Sequence, residues 1–174
     1  MIKLIAFLGN PTKEYEKTRH NAGFIVADEL FSHLQWSVKF HGAFSKEGGI
    51  IYLKPLTYMN SSGTSVSEAA SFFKVKPEEI LVVHDDLELK PGCARFQQGG
   101  GLQGHNGLRS IKERIGSDAF WRLRIGIGRP VHGDVRVFVT SPFTNDELTV
   151  LKQLISRLKP LFSTFPSSQT DIKV

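Results

Sequence analysis

Three short apolar runs, each stopped by a polar cluster, constrain the fold of this chain more than any other feature. Residues 3–8 run into Gly9-Asn10-Pro11, and residues 50–54 end at Pro55, shortly before Tyr58-Met59-Asn60. Ile80-Leu81-Val82-Val83 leads directly into His84-Asp85-Asp86. Runs of this length between turn residues read as buried strands. The intervening stretches recur at helical spacing, with Phe24, Ala27, Phe31 and Leu34 in one and Val66, Ala69, Ala70 and Phe73 in the next. Such alternation predicts an α/β chain: a mixed, twisted sheet with helices on both faces, in three layers. If the three strands are parallel, their polar clusters gather at one edge of the sheet, where open α/β folds bind ligands.

The rest of the chain continues the pattern. A strand is expected near residues 94–97, and a helix capped by Asn106 runs to about residue 115. Arg122 to Ile127 alternates as a strand with two unlike faces, Val135–Thr140 reads as a last edge strand, and Asn145–Leu158 as a final helix. The whole, residues 1–174, is expected to be one domain, with a Ser/Thr/Pro-rich tail at 160–174 that is loosely held.

Composition removes several alternatives. Apolar residues make up 40% and charged residues 22%, which is ordinary for a globular protein. The single cysteine, Cys93, forms no internal disulfide, and no apolar run approaches the roughly 18 residues of a membrane span. A cytoplasmic protein is expected. The net charge of +5 hints at an anionic partner.

The chemistry concentrates in few residues. His20 lies just before a helix N-terminus, whose dipole lowers the affinity of a nearby imidazole for protons; a neutral His20 could serve as a general base. Either Asp85 or Asp86 could orient it, with the other solvated or capping a turn. No Gly-x-Ser-x-Gly elbow occurs, and Ser61 and Ser62 read as helix caps, so activated water is the better attacker. The glycine-rich Gly99–Gly107 segment lacks the Lys-Ser/Thr ending of a phosphate-binding loop. No His/Cys spacing suggests a metal site, and His84 reads as structural or solvated. Arg122 and Arg124 share one strand face and, with Arg95 and Arg109, form either a solvated basic surface or a footprint for phosphates.

Four segments taken together resemble the bacterial-type peptidyl-tRNA hydrolases. They are Leu8-Gly9-Asn10-Pro11 with Thr18-Arg19-His20-Asn21-Ala22-Gly23; Lys54 to Gly63; His84-Asp85-Asp86-Leu87 with Gly104-His105-Asn106-Gly107; and Phe120 to Pro130. Their order and spacing hold to about residue 143. The resemblance implies a monomeric enzyme without metal or cofactor that cleaves the ester between a peptide and tRNA. It implies His20 as the base, Asp85 as its orienting partner, and Asn10, Asn60 and Asn106 as catalytic amides. Tyr15, Tyr58, Met59 and His105 would line the cleft, and Arg95 and Arg124 would lie near the tRNA end. The chain departs from the family pattern at Phe7, Thr12 and Gln103, which replace usual glycines, and at Gln97, which replaces a usual basic residue. A related fold in a chloroplast splicing factor makes a non-catalytic RNA-binding protein the alternative, which the intact Asn10, His20, Asn60, Asp85 and Asn106 disfavour.

Overall fold

In the computed structural model, which describes residues 1–174, eight strands form one sheet. They are β1 (Leu4–Phe7), β2 (Ser37–Lys39), β3 (Gly42–Glu47), β4 (Ile50–Pro55), β5 (Ile80–Asp86), β6 (Cys93–Gln98), β7 (Trp121–Gly126) and β8 (Thr170–Lys173). The order across the sheet is β2-β3-β4-β1-β5-β7-β6-β8. The central four, β4, β1, β5 and β7, are mutually parallel; β2 and β3 at one side and β6 and β8 at the other add on antiparallel. The sheet is therefore mixed, as expected.

The helices are α1 (Ala22–Leu30), α2 (Ser62–Phe73), α3 (Asn106–Ile115), α4 (Val135–Val139) and α5 (Asn145–Leu158). Side chains alternate across the strands, so β1 sends Ile5 and Phe7 into one core and Leu4 and Ala6 into the other. The first core packs against α1 and α5 through Val26, Ala27, Leu151, Leu154 and Ile155. The second packs against α2 and α3 through Val66, Ala69, Leu108 and Ile111. These are the three expected layers. No helix is long and apolar enough to cross a membrane.

Three segments differ from expectation. Residues 135–139 are helical, not an edge strand: the Asp134 side chain caps Arg136 N at 2.8 Å, and Val139 is buried while the Arg19 guanidinium lies 4.1 Å over the Phe138 ring. Local capping and tertiary contacts override the strand preference of valine. The tail is not loose throughout, because β8 pairs with β6 and Phe162 is buried against Phe7 and Phe31. The hairpin of β2 and β3 was not expected at all.

Candidate active site

The loop after β1 carries the first functional group. Asn10 and Asn21 close it reciprocally: Asn21 Oδ1 accepts from Asn10 N at 2.8 Å, and Asn21 Nδ2 donates to Asn10 O at 3.0 Å. Asn10 Oδ1 in turn accepts from Met59 N at 2.7 Å, tying the ends of β1 and β4 together. With its carbonyl taken, Asn10 presents Nδ2 as a donor toward a cavity. Gly23 lets α1 start hard against the sheet: a Cβ there would sit 2.5 Å from Val83 O and 2.6 Å from the backbone of Leu8. That contact sets His20, two residues before the helix, beside the end of β5.

His20 Nδ1 lies 2.8 Å from Asp85 Oδ2. The other oxygen, Oδ1, lies 2.9 Å from His105 Nε2. His105 Nδ1 accepts from Gly107 N at 3.1 Å and Leu108 N at 3.3 Å, so it must be unprotonated and Nε2 must carry the hydrogen. His105, not Asn106, is therefore the cap of α3, and Asn106 is the first residue inside the helix. The Asn106 carbonyl accepts from Arg109, which leaves its Nδ2 as a donor as well.

Burial of His20 works against its protonation, but the charge and hydrogen bond of Asp85 outweigh it, so the His20 pKa is raised above 6.5. This reverses the direction expected from the helix dipole, because a contacting carboxylate acts more strongly than a helix end. Burial likewise opposes ionisation of Asp85, yet His20 and His105 hold its carboxyl far below the usual carboxylate range. His84 is fully buried, donates from Nδ1 to Asp85 O at 2.8 Å, and is pushed down to about 3 by burial, His105 and Arg122.

Two cavities meet at His20. One, of about 120 Å³, lies among Asp85, Asp86, Leu87, Leu102, Gln103, Gly104 and His105. The other, of about 280 Å³, lies among Asn10, Tyr15, Tyr58, Met59 and Asn60. His20, Asn106, Arg136 and Val139 border both. Thus His20, Asp85, Asn10, Asn60, Asn106, Tyr15, Tyr58, Met59 and His105 come together as expected. His20, Asp85 and His105 also offer three ligand-type atoms within 4.8 Å of one another, a set that the sequence spacing did not reveal because the residues come from three distant segments.

Arg122 and Arg124 do not lie on a solvated basic surface, whereas Arg109 is exposed; Arg95, Arg122 and Arg124 border neither cavity at His20. Arg124 is buried, donating to Asp86 Oδ2 and Gln97 Oε1, each at 2.8 Å. Arg122 is 2% exposed and donates to Gly101 O at 2.8 Å; burial and Arg124 push it down to about 10. Asp86 is accordingly an ion-pair partner, not a solvated group, although it also caps Glu88 N. Arg95 stays at the surface, paired with Asp171 of β8 at 2.6 Å. Gln97, between Arg124 and Gly99 O, braces the glycine-rich loop. Sequence reasoning missed Arg19, Asn21 and Arg136. Arg19 joins the loop of His20 to α4 and α5 through Phe138 O at 3.1 Å and Glu147 Oε1 at 2.8 Å.

The model of the peptidyl-tRNA hydrolase family matches residues 4–172. A peptidyl-tRNA hydrolase of Geotalea uraniireducens is 47% identical over 168 residues, covering 92% of this chain and 87% of its own length. That of Treponema pallidum is 48% identical over 164 residues, covering 88% of this chain and 81% of its own length. The crystal structure of the Acinetobacter baumannii peptidyl-tRNA hydrolase superposes with a TM-score of 0.85 at 39% identity, covering 93% of this chain and 87% of that one. With the same fold, the same chain-long match and a histidine–carboxylate pair at the sheet edge, this chain belongs to the peptidyl-tRNA hydrolase family.

Proposed function

We propose that this chain hydrolyses the ester linking a peptide to the 3′ end of tRNA, acting as a cytoplasmic monomer. The observation that carries the reading is the His20–Asp85 contact placed where two cavities meet. Asp85 accepts Nδ1–H of His20, which leaves Nε2 as the free base. A water held by that nitrogen attacks the ester carbonyl; His20 takes the water's proton and later gives it to the departing 3′ oxygen. No covalent intermediate on the protein is needed, because an alkoxide of ribose leaves more readily than an amine.

The negative charge that develops on the carbonyl oxygen needs donors already in place. Asn10 and Asn106 meet this requirement because their carbonyls are occupied by Met59 N and Arg109, so both aim NH₂ groups outward. Asn60, exposed on the wall of the larger cavity, is assigned to the peptide backbone. The larger cavity, with Tyr15, Tyr58 and Met59, suits the peptide, and the smaller one the terminal nucleoside.

The test is release of an N-blocked aminoacyl group from tRNA. Wild type should turn over, and His20→Ala should lose most of the rate while still binding tRNA at low salt. An inert wild type, or a His20→Ala variant at full rate, would falsify the assignment.

A further inference from the structure

We propose that Arg136 is a substrate-binding residue that engages the last phosphodiester of the tRNA acceptor end, a contact that rests on the hydrolase reading above. Arg136 is on α4, the short helix that roofs the site, and it borders both cavities beside His20 and Asn106. It is the one permanently charged side chain around the larger cavity and the one arginine around the smaller. A substrate whose scissile ester sits at His20 and extends into both cavities would have this guanidinium at the rim of each.

The other charges at the site leave room for an anion. Asp85 is held by His20 and His105, and Asp86 by Arg124, so neither carboxylate faces an incoming phosphate unpaired. Arg136 itself is lightly committed. Its only ion pair is with Asp134 at 3.3 Å, and its side chain is 88% exposed. Exposed pairs of this kind contribute little, so exchange of Asp134 for a phosphate costs almost nothing. Arg124, Arg122 and Arg19 lack that freedom because each is buried and bonded inside the fold. Guanidinium groups grip phosphate through two parallel hydrogen bonds, and this one borders the smaller cavity, the one assigned above to the terminal nucleoside. The anion nearest a 3′ ester on every tRNA is the phosphodiester joining its last two nucleotides.

The experiment compares wild type and Arg136→Gln on N-blocked aminoacyl-tRNA, and on the same substrate with a neutral methylphosphonate at that one linkage. With the natural linkage, KM should rise about fivefold in the variant while kcat holds. The slope of log(kcat/KM) against log(salt) should shrink by about 0.7, the share of one single-strand phosphate contact. Wild type should lose the same factor on the methylphosphonate substrate, and the variant should lose nothing further. Three results overturn the proposal: unchanged KM in the variant, an equal loss on both substrates, or a loss confined to peptides carrying acidic side chains, which would make a peptide carboxylate the anion. Because wild-type turnover is read in the same assay, failure of this contact is separable from failure of the hydrolase reading.

Discussion

His105 Nε2 stands 2.9 Å from Oδ1 of Asp85, on the carboxylate oxygen that His20 does not use. The carboxylate is thus divided between two imidazoles, and the hydrogen bond from His105 draws off part of the charge that would otherwise act on His20. His105→Asn keeps a good helix cap but cannot reach Asp85 as a donor in the same way. The acid limb of kcat/KM should move to higher pH, because Asp85 then attracts the His20 proton more strongly. Asp85→Asn should move the limb the other way, below 6.5, since burial is the influence that remains. Shifts of the same sign in both variants would refute this division.

The raised pKa of His20 also has a consequence for folding. Its protonated form is favoured in the native state, so this contribution to stability is full below 6.5 and fades as pH rises through the higher folded value. His84 acts with the opposite sign. It is kept neutral down to about 3, so the unfolded chain binds one more proton than the native one between about 3 and 6.5, and stability falls as pH drops across that window. His84→Gln should flatten the dependence of unfolding free energy on pH in that range, as measured by urea titrations at several pH values. An unaltered slope would mean that His84 does not titrate on unfolding.

Thr12 holds φ at 84° and Gln103 at 54°, in a region that favours glycine, and both stand where the family pattern has glycine. Thr12→Gly should raise stability by about 1 kcal/mol, the relieved backbone strain exceeding the added freedom of the unfolded chain. A lower urea midpoint would count against the strain. Phe7, the third departure, is different: its ring is wholly buried against Phe31 and Phe162, so Phe7→Gly should be severely destabilising.

Arg124→Met should cost about 3–5 kcal/mol, because it leaves Asp86 buried beside an uncompensated gap. Arg95→Met removes an exposed pair with Asp171 and should cost about 1 kcal/mol or less. Thermal denaturation of the two variants distinguishes them; similar losses would contradict the buried network.

The parts legible in the sequence were those set by local pattern. The ends of β1, β4 and β5 deliver Asn10, Asn60 and Asp85 to one edge, and α5 spans Asn145–Leu158 as its periodicity predicts. What stayed hidden depends on contacts made far along the chain. The residues of β2 are all exposed, so no apolar alternation marks them. Arg122 and Arg124 alternate visibly, but alternation does not tell whether a face meets water; here Gly101 O of the glycine-rich loop holds Arg122, and Gln97 of β6 with Asp86 holds Arg124. The helix dipole was a sound expectation for His20 until Asp85 proved to be in contact.

Arg19 clasps Glu147 and Phe138 O across 128 and 119 residues of chain. The segment bearing His20 is therefore fastened both to α4, which borders the two cavities, and to α5, which packs on the core behind it. A chain shortened to residue 144 would retain every group proposed for the chemistry and lose this brace, together with the packing of Leu151, Leu154 and Ile155 on the first core. Glu147 thus acts on the site at a distance, as a mechanical anchor for the loop of His20.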